Sequence, residues 1–238
     1  MPKTFLSARW EDLIMANYAV DPEILQPYLP KGVELDFFEG KTYVSLVGFM
    51  FRNTRLFGLP IPLLGTFEKI NLRFYVKRRT ENSYKRGVVF INETVPYPAV
   101  AWLANKLYKE HYTAIPTKHQ ILANAQNRSL SYQWKTNNNW NHLQLNCSPN
   151  AVAMRENSIE EFIFEHYYGY TKVSDTKTLE YRVNHPRWQV FPVMNYDISC
   201  NFKAMYGTDF EYLARQKPDS VIVANGSNVT VDWKRHSI

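Results

Sequence analysis

Apolar and polar residues alternate with a period of two along FEKINLRFYVKR (Phe67–Arg78), the pattern of a β-strand with two unlike faces. Ile70, Leu72, Phe74 and Val76 share one face, and Lys69, Asn71, Arg73 and Lys77 share the other. Glu68 falls by parity on the apolar face. RGVVFINETV (Arg86–Val95) follows across a short polar turn and completes an antiparallel hairpin. KTYVSLVGFMF (Lys41–Phe51) is apolar on both parities, as expected for a strand covered on both sides. LSYQWK and WNHLQLNC flank an Asn-rich loop and form a second hairpin. LEYRVNH, WQVFPV and VIVANGSNVTVDW supply further strands, the last with Asn225-Gly226 as a turn signal.

Helical signals are fewer. DPEILQPYL opens with Asp21 as N-cap and Pro22 at the first helical position. YPAVAWLANKLYKEHY (Tyr97–Tyr112) carries Val100, Leu103, Ala104 and Leu107 at helical spacing. SIEEFIFEHYY places Ser158 three residues before Glu161, a capping-box pattern, and DFEYLARQ is a short fourth helix. Many antiparallel strands with a few helices among them predict an α+β class with a β-rich core, a barrel or folded sheet with helical decorations. No linker or repeat divides the chain, so residues 1–238 are expected to form one domain.

Composition changes this picture little. Hydrophobic content is 45% and charged content 21%, which supports a real core rather than disorder. No apolar run approaches the ~18 residues of a membrane span and no signal-peptide pattern opens the chain, so a cytoplasmic address is expected. Cys147 and Cys200 are too few for a disulfide scaffold and read as buried free thiols. The formal charge of +6 permits an anionic ligand. Basic residues cluster only around the turn TENSY, so nucleic acid is not the expected partner.

Most enzyme signatures are missing: no Gly-rich phosphate loop, no G-x-S-x-G, no H-E-x-x-H and no C-x-x-C. The six histidines show no ligand spacing, and neither a metal nor a cofactor is expected. Glu68 is the first informative residue. A carboxylate on a buried face must be paired or have its pKa raised, so Glu68 is either a pocket residue or a structural one, exposed at the start of the strand near Gly65 or paired with a nearby Arg. Asn71 and Arg73 either line a polar cavity or form the wet side of the sheet. In HPRW, His185 and Trp188 either sit over a cavity mouth or make a rigid turn with an aromatic plug.

NYAVDPEILQPYLPKGVELDFFEGKTYVSLVGFMFRNTRLFGLPIP, followed by FEKINLRFYV, RGVVF, FEHYYGYT and HPRW, resembles the YqjF-like family of uncharacterised bacterial proteins over nearly the whole chain. That family is similar in fold to acetoacetate decarboxylase, which implies a cone-shaped antiparallel β-barrel with flanking helices and an internal cavity. By its place in the F-E-x-x-x-L strand, Glu68 would correspond to the decarboxylase's buried glutamate, aimed into the barrel. The decarboxylase also carries two adjacent lysines after a helix, one a Schiff-base former activated by the other's charge. Here that region reads TAIPTKHQ. Pairing on Pro116 puts Thr117 and Lys118 at those positions, and an ungapped pairing on Tyr108 puts Tyr112 and Thr113 there. Neither supplies the pair, so decarboxylation by that route is not implied.

The expectation is a pocket for a small carbonyl or carboxylate compound. In an enzymatic version, lyase-like on a keto or carboxylic acid, Glu68 is the acid/base, Lys118 an electrostatic or Schiff-base group, and Arg73 an anion holder. Asn71, His185 and Trp188 would complete the substrate contacts. The alternatives are a non-catalytic ligand pocket and an interaction module using the basic surface, with homo-oligomerisation left open.

Overall fold

The computed structural model describes residues 4–233 and 236–238. Its longer strands are β1 (Thr4–Val20), β2 (Thr42–Leu56), β3 (Phe67–Arg79), β4 (Tyr84–Val95), β5 (Thr117–Ala123) and β6 (Arg128–Thr136). They continue with β7 (Asn139–Cys147), β8 (Tyr168–Ser174), β9 (Lys177–Asn184), β10 (Val193–Ser199) and β11 (Ser220–Asp232). Helices α1 (Pro22–Leu25), α2 (Pro98–Tyr108), α3 (Ile159–Phe164) and α4 (Phe202–Tyr206) lie between them. Among the described residues no helix is long and apolar enough to cross a membrane.

Seven strands close on themselves in the order β11-β1-β2-β3-β4-β8-β9, and β9 pairs back onto β11 at Val183–Val231 and Asn184–Thr230. All these pairings are antiparallel except β4 with β8, where Tyr168 lies beside Gly87 and Gly169 beside Val88. The α+β, β-rich cone-shaped barrel expected from the sequence is therefore present, with one parallel seam.

A second, four-stranded sheet in the order β10-β7-β6-β5 lies on the outside of the barrel. Ile70, Leu72 and Phe74 of β3 pack there against Leu130, Tyr132 and Trp134 of β6 and Leu143 of β7. Each of those three β3 side chains is wholly buried, worth roughly 1.5–3 kcal/mol. Gly48 of β2 makes this contact close: a Cβ there would stand 2.8 Å from the Tyr132 ring. Tyr132 in turn donates its hydroxyl to the Asp12 carbonyl at 2.9 Å. On the inner side, Val47, Phe49 and Phe51 of β2 join Phe67 and Tyr75 of β3 in a separate core with Phe162 and Phe164 of α3. Both faces of β2 are thus covered, as its unbroken apolar run requires.

Several elements depart from the pattern-based reading. β1 gives no clean alternation because its pairing with β2 shifts register between Glu11 and Ile14, around Asp12 at φ +55°. Asn225-Gly226 is not a turn but part of the continuous strand β11. Gly226 is needed there because a Cβ would meet the Trp10 carbonyl oxygen at 2.0 Å. α2 stops at Tyr108, short of the expected Tyr112, where Lys109 turns left-handed at φ +58°. Thr208–Arg215 is a 3-10 helix, preceded by α4, whose Asn201 cap accepts from Ala204 N–H at 3.1 Å. The caps foreseen at Asp21 and Ser158 form, accepting from Glu23 N–H at 2.9 Å and Glu161 N–H at 3.3 Å.

Candidate functional site

The barrel encloses a cavity of about 240 Å³. Aromatic and aliphatic side chains make most of its wall, among them Trp10, Phe51, Phe90, Phe164 and Trp188. Val100, Leu103 and Ala104 of α2 close one side, joined by Ile61 and Leu64 from the connection between β2 and β3. The face of β3 that lines it is the odd-numbered one, which brings in Lys69 and Arg73.

Lys69 is buried and forms an ion pair with Glu93 of β4. The pair follows from register: Glu93 lies opposite Asn71, diagonal to Lys69. Lys69 Nζ also donates to Tyr112 Oη at 2.7 Å. The ammonium sits between 4.9 and 5.9 Å from the ring centres of Phe49, Phe51, Phe90 and Tyr112. Tyr112 is placed by the early end of α2: the chain enters a short strand, Tyr112–Ala114, that pairs in parallel with β4. Burial pushes the Glu93 carboxyl up, and the Lys69 charge pulls against that shift.

Glu110 reaches the cavity wall from the same connection. Its Oε1 accepts from Thr171 Oγ1 at 2.6 Å and from Tyr181 Oη at 2.9 Å. Burial, aided by the neighbouring Glu93 charge, pushes this carboxyl up to about 8, so at neutral pH it is mostly the neutral acid. Tyr181 lies across its cross-strand partner Gly169, where a Cβ would stand 2.1 Å from the ring. Glycine at 169 is what lets the phenol reach Glu110.

Arg73 occupies the other end of the cavity face. Its Nη2 donates to the Ile163 carbonyl at 3.3 Å, and the guanidinium lies 5.5 Å from the Tyr75 ring centre. Nε has no hydrogen-bond partner, and among the described residues no carboxylate forms an ion pair with Arg73. His166 stands nearby with Nε2 3.2 Å from Asp36 Oδ2, and burial lowers its pKa to about 4. His185 is also lowered by burial and stacks on Trp188 at 4.1 Å between ring centres. Both imidazoles are neutral at pH 7. With Lys69 matched by Glu93 and Glu110 protonated, the Arg73 charge is left uncompensated.

The sequence-predicted residues are therefore only partly brought together. Arg73, His185 and Trp188 line the cavity. Asn71 shares the inward face and is buried without reaching the cavity wall. Glu68 is not in the cavity: its face of β3 points outward, against the second sheet. There it accepts from Thr117 Oγ1 at 2.5 Å and pairs with His119 Nδ1 at 3.0 Å. Lys118, between those two partners on β5, projects away from them. It is exposed, with Nζ 4.0 Å from the Trp140 ring centre, so it shares no chamber with Arg73. Lys69, Glu93, Glu110 and Tyr181 escaped the sequence reading. The ungapped pairing on Tyr108, which selected Tyr112, is the register that lands a side chain in the cavity.

Solved structures of similar shape come from one fold. The acetoacetate decarboxylase of Legionella pneumophila subsp. pneumophila str. Philadelphia 1 superposes with a TM-score of 0.67 at 12% identity, covering 100% of this chain and 88% of that one. The enduracididine biosynthesis enzyme MppR, complexed with pyruvate, gives 0.66 at 9%, covering 100% and 91%. An acetoacetate decarboxylase-like enzyme from Sphingomonas wittichii RW1 gives 0.66 at 11%, covering 99% and 93%. In sequence, the uncharacterised protein YqjF of Bacillus subtilis (strain 168) is 36% identical over 84 residues, 35% of this chain and 33% of that protein. The match to the DUF2071 family of uncharacterised conserved proteins runs over residues 7–228, and the chain belongs to that family.

Proposed function

We propose that the barrel interior binds a small organic carboxylate or carbonyl compound, with the carboxylate held by Arg73. The observation that carries this reading is the charge balance of the cavity. Its wall is mostly apolar, and Arg73 is the one cationic group on it that no carboxylate among the described residues offsets. An unpaired guanidinium at a desolvated wall is costly alone and favourable with an incoming anion, which it can grip through two parallel hydrogen bonds. His185 and Trp188, stacked on each other, form part of the adjacent wall. The pyruvate complex of MppR, a structural neighbour, supports a small oxo acid as one member of the class.

Isothermal titration of the purified protein with pyruvate, acetoacetate and 3-phenylpropanoate tests the reading. At least one acid should bind, and Arg73→Met should weaken it about tenfold or more, the worth of a hydrogen bond to a charged group. No binding by any of the three at millimolar concentration, or equal binding by Arg73→Met, refutes it.

A further inference from the structure

We infer that the ligand of this cavity is two-ended, with a carboxylate on Arg73 and a neutral hydroxyl or carbonyl group seated between Lys69, Glu110 and Tyr112 at the far end. This rests on the preceding reading and extends it to the class of molecule. Lys69 and Arg73 are four residues apart on one face of β3, which sets them about 13 Å apart along the strand. The wall around them is mostly apolar: Phe90 of the adjacent strand β4 lies opposite Arg73 with its ring centre 5.0 Å from Lys69 Nζ, and Trp10 and Phe164 share the same lining. A ligand that satisfies Arg73 alone would leave the second polar cluster facing hydrocarbon.

The chemistry of the far end selects what sits there. Lys69 has three N–H donors, of which Glu93 and Tyr112 engage two, so one remains for a ligand. Thr171 and Tyr181 both donate to Glu110 Oε1, which leaves the acid proton on Oε2 as a further donor. A second carboxylate is disfavoured because the Glu93 carboxylate, paired with Lys69, already occupies this end. A second cation is disfavoured by Lys69. A neutral oxygen meets neither objection. The cavity of about 240 Å³ is large enough for one aromatic ring with a short acid side chain.

The test compares 3-(4-hydroxyphenyl)propanoate with 3-phenylpropanoate by calorimetry, which isolates the far-end group. The intact protein should prefer the hydroxylated acid by about tenfold, and 3-(4-carboxyphenyl)propanoate should bind more weakly than either. Glu110→Leu should bring the preference close to one; Tyr112→Phe, the milder change, should reduce it severalfold. In Arg73→Met both acids should weaken while their ratio persists. Equal binding of the two acids by the intact protein overturns the two-ended ligand and leaves the carboxylate reading standing. Failure of both acids to bind overturns both. A preference that survives in Glu110→Leu and Tyr112→Phe places the hydroxyl elsewhere and overturns the inference.

Discussion

Replacing Glu110 by Gln should make the protein more stable in base and leave it little changed in acid. Carrying a buried carboxyl from its ordinary 4.5 to about 8 amounts to roughly 5 kcal/mol at 1.36 kcal/mol per pKa unit. The sign follows from proton linkage. Between pH 4.5 and 8 the folded chain keeps a proton that the unfolded chain has released, so stability falls as pH rises through that window, by about 1.4 kcal/mol per pH unit. Gln keeps an oxygen to accept from Thr171 and Tyr181 but has nothing to ionise. At pH 5 the two proteins should differ by no more than about 1 kcal/mol, the worth of one rearranged hydrogen bond. At pH 9 the variant should lead by roughly 3–5 kcal/mol. Urea denaturation at pH 5, 6, 7, 8 and 9, at constant ionic strength, reads this directly, and titrating groups that do not interact with Glu110 cancel in the difference. A gap that stays constant from pH 5 to 9 would refute the assignment of Glu110 as a neutral buried acid.

Other expectations concern the packing around the cavity. Glu68→Gln should cost about 1 kcal/mol through its contacts to Thr117 and His119, with no effect on the binding of 3-phenylpropanoate; a tenfold loss of affinity would place Glu68 back inside. Gly169→Ala should destabilise by about 1–3 kcal/mol, because the methyl group overlaps the Tyr181 ring. The same change should erase the preference for the hydroxylated acid, and thermal unfolding with calorimetry checks both. His166, held near 4 against an ordinary 6.5, should lower stability as pH falls from 6.5 to 4, by about 3 kcal/mol in all. Acid denaturation followed by tryptophan fluorescence should lose this window in His166→Asn.

The β-rich barrel was legible because alternation and turn signals are local properties. Which side of β3 faces inward was not. Alternation separates Ile70, Leu72 and Phe74 from Lys69, Asn71 and Arg73, but an apolar face is satisfied equally by a barrel interior or by a second sheet outside. Here the second sheet took the apolar face, and the charged face became the lining of the cavity. Lys69 reads as a wet-side lysine until Glu93 arrives from the neighbouring strand, a pairing that register alone decides. Glu110 was hidden by a helix that looked longer than it is, and Tyr112 was reached only through the family pairing on Tyr108. The left-handed Lys109 turns both residues off the helix and toward the barrel. His185 and Trp188 were found because an aromatic pair beside a proline is conspicuous in any chain. Glu68 drew attention for a sound reason, burial of a carboxylate, and its partners on β5 answer it structurally rather than chemically.

The most direct test of the central claim is a crystal structure with 3-(4-bromophenyl)propanoate, whose bromine is located by its anomalous scattering. A bromine peak is expected inside the barrel toward Lys69 and Tyr112, with the carboxylate of the same molecule on Arg73. A fully occupied bromine between the two sheets beside Glu68 and Lys118, or an interior with no bromine at saturating ligand, would contradict it.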